Sequence, residues 1–272
     1  MTNSVHTATT TEEFIERFRR PVSSGNVIRD FNPINIIIML ASLAVMSLAL
    51  PGIVPAIAVS VAYVVIAFAA GVGRQFSSTF GKLYAIVGVI LFVLRAIFLD
   101  IGHQLLTFGP FVISTGGLMQ ALRFSLLVMA LCGALTLFFA MTPMKNLMLA
   151  LETRGVTPRA TYVILASFQA IIDLGKNSRT VMDAQRSRGV ETEGSLRIRL
   201  KAFAPILAPV FLAAMNQTEE RALALDARAF NSRQRHTHLA KLKPVSAGEA
   251  IITAVLAAVA VFSIVGVYTL WN

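Results

Sequence analysis

The most constraining feature of the sequence is the stretch 34–73, forty residues that include no Asp, Glu, Lys or Arg. The hydrocarbon core of a bilayer is about 30 Å thick, so a helical span needs about 20 apolar residues. The stretch is therefore long enough for two spans. Pro51-Gly52, near its middle, is typical of a tight turn between them. The chain is predicted to be a membrane protein that crosses the bilayer more than once.

Three further apolar segments extend this pattern along the chain, in which only 14% of the residues are charged. Soluble domains usually contain about 25% charged residues. We predict an all-α, polytopic membrane protein with about five transmembrane helices. The predicted spans are 34–50, 53–72, 83–100, 117–141 and 247–270. They divide the chain into a tail (1–33), a membrane domain of four spans (34–141), a polar and amphipathic region (142–246) and a last span (247–272).

The basic residues are confined to alternate connections between the predicted spans. With the N-terminus in the cytosol, 22 of the 24 Lys and Arg residues lie on the cytosolic side, and the other two, Arg95 and Arg123, lie within spans. This positive-inside pattern predicts a cytoplasmic N-terminus and an extracellular C-terminus. It also explains the net charge of +10 without a nucleic-acid partner. Residues 11–20 are predicted to form an amphipathic helix on the surface of the membrane lipid.

The region 142–246 is predicted to contain two long amphipathic helices, at about 157–188 and 195–229. Only six residues join them, which favours an antiparallel hairpin. Apolar residues on the second helix recur in steps of three and four, as on a helix with one apolar side. Pro205 and Pro209 are expected to bend this helix. We expect it to lie along or under the bilayer; an alternative is that 202–215 dips into the membrane.

Each of these two helices is predicted to end in an arginine between small residues. The two sequences are Ser187-Arg188-Gly189 and Ala227-Arg228-Ala229. Small neighbours allow a helix end to enter a narrow groove, where a guanidinium can hold a carboxylate through two parallel hydrogen bonds. Two similar ends held tens of ångströms apart suit a partner with two similar pockets, such as a dimer of subunits.

Motifs for catalysis or cofactor binding do not stand out. The sequence has no Gly-rich loop followed by Lys-Ser/Thr for nucleotide phosphates and no His-Glu-x-x-His, and its single cysteine is Cys132. His236 and His238 have no carboxylate close in sequence, so no metal or other cofactor is predicted. A lipid-acting membrane enzyme and a self-contained channel or secondary transporter remain alternatives. Arg95 is expected to pair with Asp100. Alternatively, Arg95 and Arg123 both line a contact with another membrane subunit or with substrate.

The run Ala184-Gln185-x-x-Arg188-Gly189, the Pro-containing amphipathic helix and Ala227-Arg228-Ala229 together resemble one family. It is the transmembrane T component of energy-coupling factor transporters, also found in cobalt and nickel importers. Four further segments look similar to the family pattern: Asn32-Pro33, Thr142-Pro143, Ala150-Leu151-Glu152 and Gly155-Val156-Thr157-Pro158.

This resemblance implies a non-catalytic subunit in the plasma membrane of a prokaryote. In the family, the T component joins two cytosolic ABC-type ATPases to a small membrane protein, the S component, which captures a vitamin or metal ion. Carried over, Arg188 and Arg228 would be the ATPase-docking arginines at the ends of two cytoplasmic coupling helices, with Ala184 and Gln185 in support. Ser187 replaces the family's Ala, and Ala229 replaces its Gly. Because Ala disfavours a left-handed backbone, the second helix is expected to run on to Asn231.

Overall fold

The structure, a computed structural model, describes residues 25–99, 104–108, 111–190, 195–230, 232 and 242–271. Several predicted features lie outside these residues. They are the tail before residue 25 with its surface helix 11–20, Asp100, parts of the connection after the third predicted span (101–103 and 109–110), part of the connection between the two amphipathic helices (191–194), Asn231 and His236-Thr237-His238.

The described residues are mostly helical, as predicted, with eight α-helices and one β-hairpin. The helices are α1 (Pro33–Ala49), α2 (Val54–Ala69), α3 (Gly73–Phe98, with a π-helical turn at Tyr84–Gly88), α4 (Thr115–Met141), α5 (Met144–Thr153), α6 (Pro158–Ser187), α7 (Leu196–Ala227) and α8 (Ala247–Trp271). Among them, α3, α4 and α8 are long and apolar enough to cross a membrane, and α1 and α2 are shorter apolar helices.

Two connections differ from the prediction. The expected loop 73–82 is the first part of α3, because its polar residues form exposed helical turns and no proline interrupts them. The expected loop after the third span contains strands β1 (Gln104–Phe108) and β2 (Phe111–Ser114), which pair antiparallel with Phe108 opposite Phe111. Hydropathy alone locates the apolar part of a segment and does not distinguish a loop from a hairpin or an exposed helical turn.

Two compact units divide the chain, Met1–Gly155 with Leu239–Asn272 and Val156–His238. The first unit contains α1 to α5, the hairpin and α8, and the second contains α6 and α7. Short α5 packs on α1 within the first unit. The coupling region proposed from the sequence for 142–246 is wider than this second unit, and its limits stay a prediction.

Within the first unit, α8 packs along α1. The side chain of Asn32 caps α1 by accepting a hydrogen bond from the Ile34 backbone N–H, and Pro33 occupies the first helical turn. Glu249, in the first turn of α8, is buried and accepts bonds from the Asn32 backbone N–H (2.8 Å) and from Nδ2 of Asn35 (2.7 Å). Glu249 thereby links the two helices at their N-terminal ends.

A glycine allows α4 to approach the aromatic core of this unit. Tyr63 and Phe76 are completely buried, and the Tyr63 hydroxyl donates to the Leu40 carbonyl over 3.2 Å. A Cβ at Gly133 would lie 2.9 Å from the Phe80 ring and 3.1 Å from the Tyr63 ring. The close packing of α4 on α2 and α3 therefore depends on the missing side chain at position 133.

Candidate functional site

Helices α6 and α7 form an antiparallel pair, as predicted. Three contacts define the register: Gln185 with Pro205, Asp173 with Arg221, and Tyr162 with Phe230. Residue numbers fall along α6 as they rise along α7. Arg188 follows the end of α6 that leads into the connection, and Arg228 follows the opposite end of the pair.

The less exposed positions of the two helices recur at steps of three and four residues, which places them on one face of each helix. Many of them are small, and small side chains allow close approach between helices. On α6 they include Tyr162, Ala166, Ala170, Asp173, Asn177, Val181 and Gln185, and on α7 they include Ala202, Ile206, Pro209, Ala213, Gln217, Arg221 and Leu225.

A polar cluster around Asp173 joins the middle of the two helices. Its Oδ2 accepts from Arg221 over 2.7 Å and from Gln217 over 3.3 Å, and its Oδ1 accepts from Gln169 over 3.2 Å. The Asp173 side chain is 18% exposed and that of Arg221 31%, so water shields the pair only in part. Charge-assisted bonds of this geometry fix the register of two helices more firmly than apolar contacts do.

A second cross-link ties the end of α6 to the proline-containing part of α7. Pro209 has no N–H, so it cannot donate to the carbonyl of Pro205 one turn earlier. Nε2 of Gln185 donates to that carbonyl over 3.3 Å. The family resemblance implies that Gln185 supports the docking of Arg188; in the structure the Gln185 side chain is buried against α7, three residues before the exposed Arg188.

We call residues 184–190 the first arginine end and residues 225–230 the second arginine end. Their backbones are alike: Arg188 has φ −88° and ψ 5°, and Arg228 has φ −90° and ψ 8°. In each end the residue after the arginine has positive φ, 84° at Gly189 and 52° at Ala229.

The hydrogen bonds of the two ends also match. The N–H of Val190 donates to the carbonyl of Gln185 over 3.0 Å, and the N–H of Phe230 donates to that of Leu225 over 3.0 Å. This is the six-to-one bond of a Schellman C-cap. Two different sequences therefore present an arginine from the same type of helix end.

The expectation that the second helix continues to Asn231 was wrong, because α7 ends at Ala227 and Ala229 adopts the left-handed conformation. The C-cap bonds and a contact of the Phe230 ring with Tyr162, 5.2 Å between ring centroids, hold this turn. These interactions oppose the conformational cost of an alanine with positive φ, about 1–2 kcal/mol. The sequence did contain the signal: an aromatic residue follows Ala229 and can close the cap against α6.

The two arginines are exposed and far apart. In the register of the helix pair, Arg188 lies level with about residue 203 of α7. Arg228 follows the C-terminal end of the same helix. At 1.5 Å per residue the separation along α7 is up to about 37 Å, less any bend at the prolines. Their neighbours Ala184, Ser187, Gly189, Ala227 and Ala229 are also exposed. The arrangement offers two separate cationic ends rather than one combined site.

One side of α7 exposes an apolar stripe, as the periodicity predicted. It consists of Leu200, Phe203, Leu207, Phe211 and Met215, whose exposed fractions range from 46% to 72%. Such a continuous apolar surface on a helix is typical of contact with a partner or with lipid.

Arg95 and Arg123 lie inside α3 and α4, where charged groups are costly. The guanidinium of Arg95 stacks over the Phe124 ring at 4.2 Å, and Arg123 donates to the Leu50 carbonyl at 3.5 Å. The Nε atom of each is buried without a hydrogen-bond partner among the described residues. The predicted partner Asp100 lies outside those residues, so that pairing stays a prediction.

Comparison with known proteins places these features in context. The family described as CbiQ, cobalt transport protein, matches residues 24–239. The energy-coupling factor transporter transmembrane protein EcfT of Limosilactobacillus fermentum is 28% identical over 186 residues, 62% of this chain and 68% of that protein. EcfT of Bacillus subtilis is 29% identical over 178 residues, 61% and 67% of the two chains.

A third relative has a different description. A putative ABC transporter ATP-binding protein of Bifidobacterium longum is 31% identical over 166 residues, 57% of this chain but only 21% of that much longer protein. The chain thus spans about two thirds or less of the length of these curated relatives.

Proposed function

The chain belongs to the cobalt transport protein family, and we propose that it is the membrane-embedded coupling subunit of an ATP-driven importer of the energy-coupling factor type. In this proposal the subunit has no catalytic activity of its own. It receives the motion of two cytosolic ABC-type ATPases and passes it to a small membrane subunit that captures a vitamin or metal ion. The single observation that carries the proposal is the pair of matching, exposed arginine ends on one helical hairpin.

The chemistry of these ends suits docking to two similar subunits. Each end offers a guanidinium with small neighbours and a rigid C-cap, so the side chain can lead into a groove without steric conflict. An ATPase dimer presents two copies of such a groove, and an acidic residue in each would pair with the arginine. The similarity to a long ATP-binding protein, of which this chain matches about a fifth, supports association with ABC-type ATPases.

The apolar stripe of α7 is the surface we assign to the membrane-embedded capture subunit. Lipid is the competing occupant of the same surface. When ATP binding closes the ATPase dimer, the two docking grooves move with it. Because α6 and α7 are joined through Asp173 and Gln185, movement of either arginine end shifts the stripe as well. This role requires the arginine ends on the cytosolic side, which agrees with the positive-inside pattern of the sequence.

Charge reversal tests the docking role. Arg188→Glu/Arg228→Glu should abolish copurification with the ABC-type ATPases of the source organism, since a buried arginine anchor at an interface commonly contributes about 2–4 kcal/mol. The matched control is Lys176→Glu/Arg179→Glu, which makes the same charge change on exposed residues of α6, away from both arginine ends. Equal ATPase recovery with both double variants would reject the docking assignment.

A further inference from the structure

We propose that Gln185 is a positioning residue for Arg188, and that it acts through the backbone carbonyl that Pro209 leaves without its helical donor. This inference rests on the proposed docking function of Arg188. It assigns Gln185 a task different from contact with the ATPase: it fixes where the first arginine end projects from the hairpin.

The geometry supports a specific bond rather than incidental contact. Gln185 is 9% exposed, and its amide donates to Pro205 across the helix pair. In an uninterrupted helix the N–H of residue 209 would occupy that carbonyl, and a side chain could only compete for it. The proline removes this competitor, so the carbonyl becomes a fixed acceptor on the surface of α7.

The position of Gln185 in the chain explains why the bond would control the arginine. Gln185 supplies the carbonyl to which Arg188 and Val190 both donate, over 3.1 and 3.0 Å. The same residue is thus tied to α7 by its side chain and closes the C-cap by its backbone. Arg188 lies within this closed turn, so a shift of residue 185 shifts the base of the arginine side chain.

The second arginine end is held differently. There Leu225 occupies the equivalent position and accepts from Arg228 and Phe230, but it has no side-chain donor. Contact of Phe230 with Tyr162 fixes that end instead. Removal of the side-chain donor of Gln185 should therefore change the position of Arg188 and leave the position of Arg228 unchanged. The second arginine end is thus an internal control.

The test is a double-mutant cycle on ATPase affinity. Gln185→Met keeps the length of the side chain and removes its N–H donors. Residues in one network typically couple by about 0.5–3 kcal/mol, so affinity should fall at least twofold to threefold. In an Arg188→Ala background the same change should have no further effect, whereas in an Arg228→Ala background it should have its full effect.

A spectroscopic measurement follows the arginine end without the ATPase. Spin labels at Ser187→Cys and Leu212→Cys, in a Cys132→Ala chain, report the distance between the first arginine end and α7. Gln185→Met should broaden this distance distribution. If Gln185→Met folds poorly, Gln185→Met/Pro209→Ala restores a helical donor to the Pro205 carbonyl while the side-chain bond stays absent. The spin-labelled chain with Gln185 and Pro209 stays the reference, and the double variant should show the broader distribution.

The outcomes separate this inference from the proposed function. Unchanged affinity with Arg188→Ala would reject the docking role itself. The positioning role alone would be rejected if Arg188→Ala lowered ATPase affinity and Gln185→Met did not. It would also be rejected if Gln185→Met lowered the affinity equally in the Arg188→Ala and Arg228→Ala backgrounds. An unchanged distance distribution would reject it as well.

Discussion

Reciprocal substitutions at Gly189 and Ala229 should shift the stability of the two arginine ends in opposite directions. Both residues have positive φ, 84° and 52°, at equivalent points of matching C-caps. A Cβ built at Gly189 would meet no atom within 4 Å, so Gly189→Ala changes only the backbone energy of this turn. Ala229→Gly is the reverse change in the second arginine end.

The magnitude follows from two opposing terms. A left-handed conformation costs a non-glycine residue about 1–2 kcal/mol, and the greater freedom of glycine in the open state offsets about 0.5–1 kcal/mol of this. The net change is about 0.5–1 kcal/mol, or about twofold to fivefold in the local opening equilibrium. Ala229→Gly should stabilise its C-cap by this amount, and Gly189→Ala should destabilise its own.

Amide hydrogen exchange measures this effect directly. The Phe230 and Val190 amides donate the six-to-one bonds, so their exchange reports opening of each cap. Ala229→Gly should slow exchange at Phe230 about twofold to fivefold, and Gly189→Ala should accelerate it at Val190. Unchanged exchange at both amides, or faster exchange at Phe230 in Ala229→Gly, would refute the assignment of a strained C-cap at Ala229.

Three further predictions concern the ties between helices. Glu249→Leu should lower the thermal stability of the purified protein, because the partly buried N–H of Asn32 and the buried amide of Asn35 lose their acceptor, the buried one at about 1–3 kcal/mol. Glu249→Gln keeps an acceptor and should lower the stability less; equal melting temperatures for the two variants would contradict this. Asp173→Ala and Arg221→Ala should couple in a double-mutant cycle of hairpin stability, and additive effects would show that the ion pair contributes nothing. Gly133→Leu should prevent stable folding in membranes, since its side chain would overlap the Tyr63 and Phe80 rings, and wild-type stability would disprove the close packing of α4.

The membrane spans and the helical hairpin could be predicted because both depend on patterns that the sequence displays directly. A forty-residue stretch without charge has few solutions other than membrane helices, and steps of three and four apolar residues define a helical face. The start of α3 at Gly73 was missed because polar residues at a membrane boundary suit a loop and an exposed helical turn equally well.

Details of the arginine ends depended on tertiary contacts that the sequence does not display. Local preference argued against a left-handed Ala229, and the C-cap with its Phe230–Tyr162 contact overrides that preference. The role of Gln185 needs both the missing N–H of Pro209 and the register that brings Pro205 opposite, which only the folded pair supplies. The place of Arg188 and Arg228 at the helix ends could be predicted from the helical pattern and the small residues around each arginine, and their docking role stays a prediction.

Site-specific photo-crosslinking tests most directly the claim that both arginine ends dock to the ATPase subunits. A photoreactive residue at Ser187 or at Ala227, next to each arginine, should crosslink to an ATPase subunit in the assembled transporter, while one at exposed Lys176 should not. Crosslinks from neither end in a complex that contains both ATPases, or equal crosslinking from Lys176, would contradict the account.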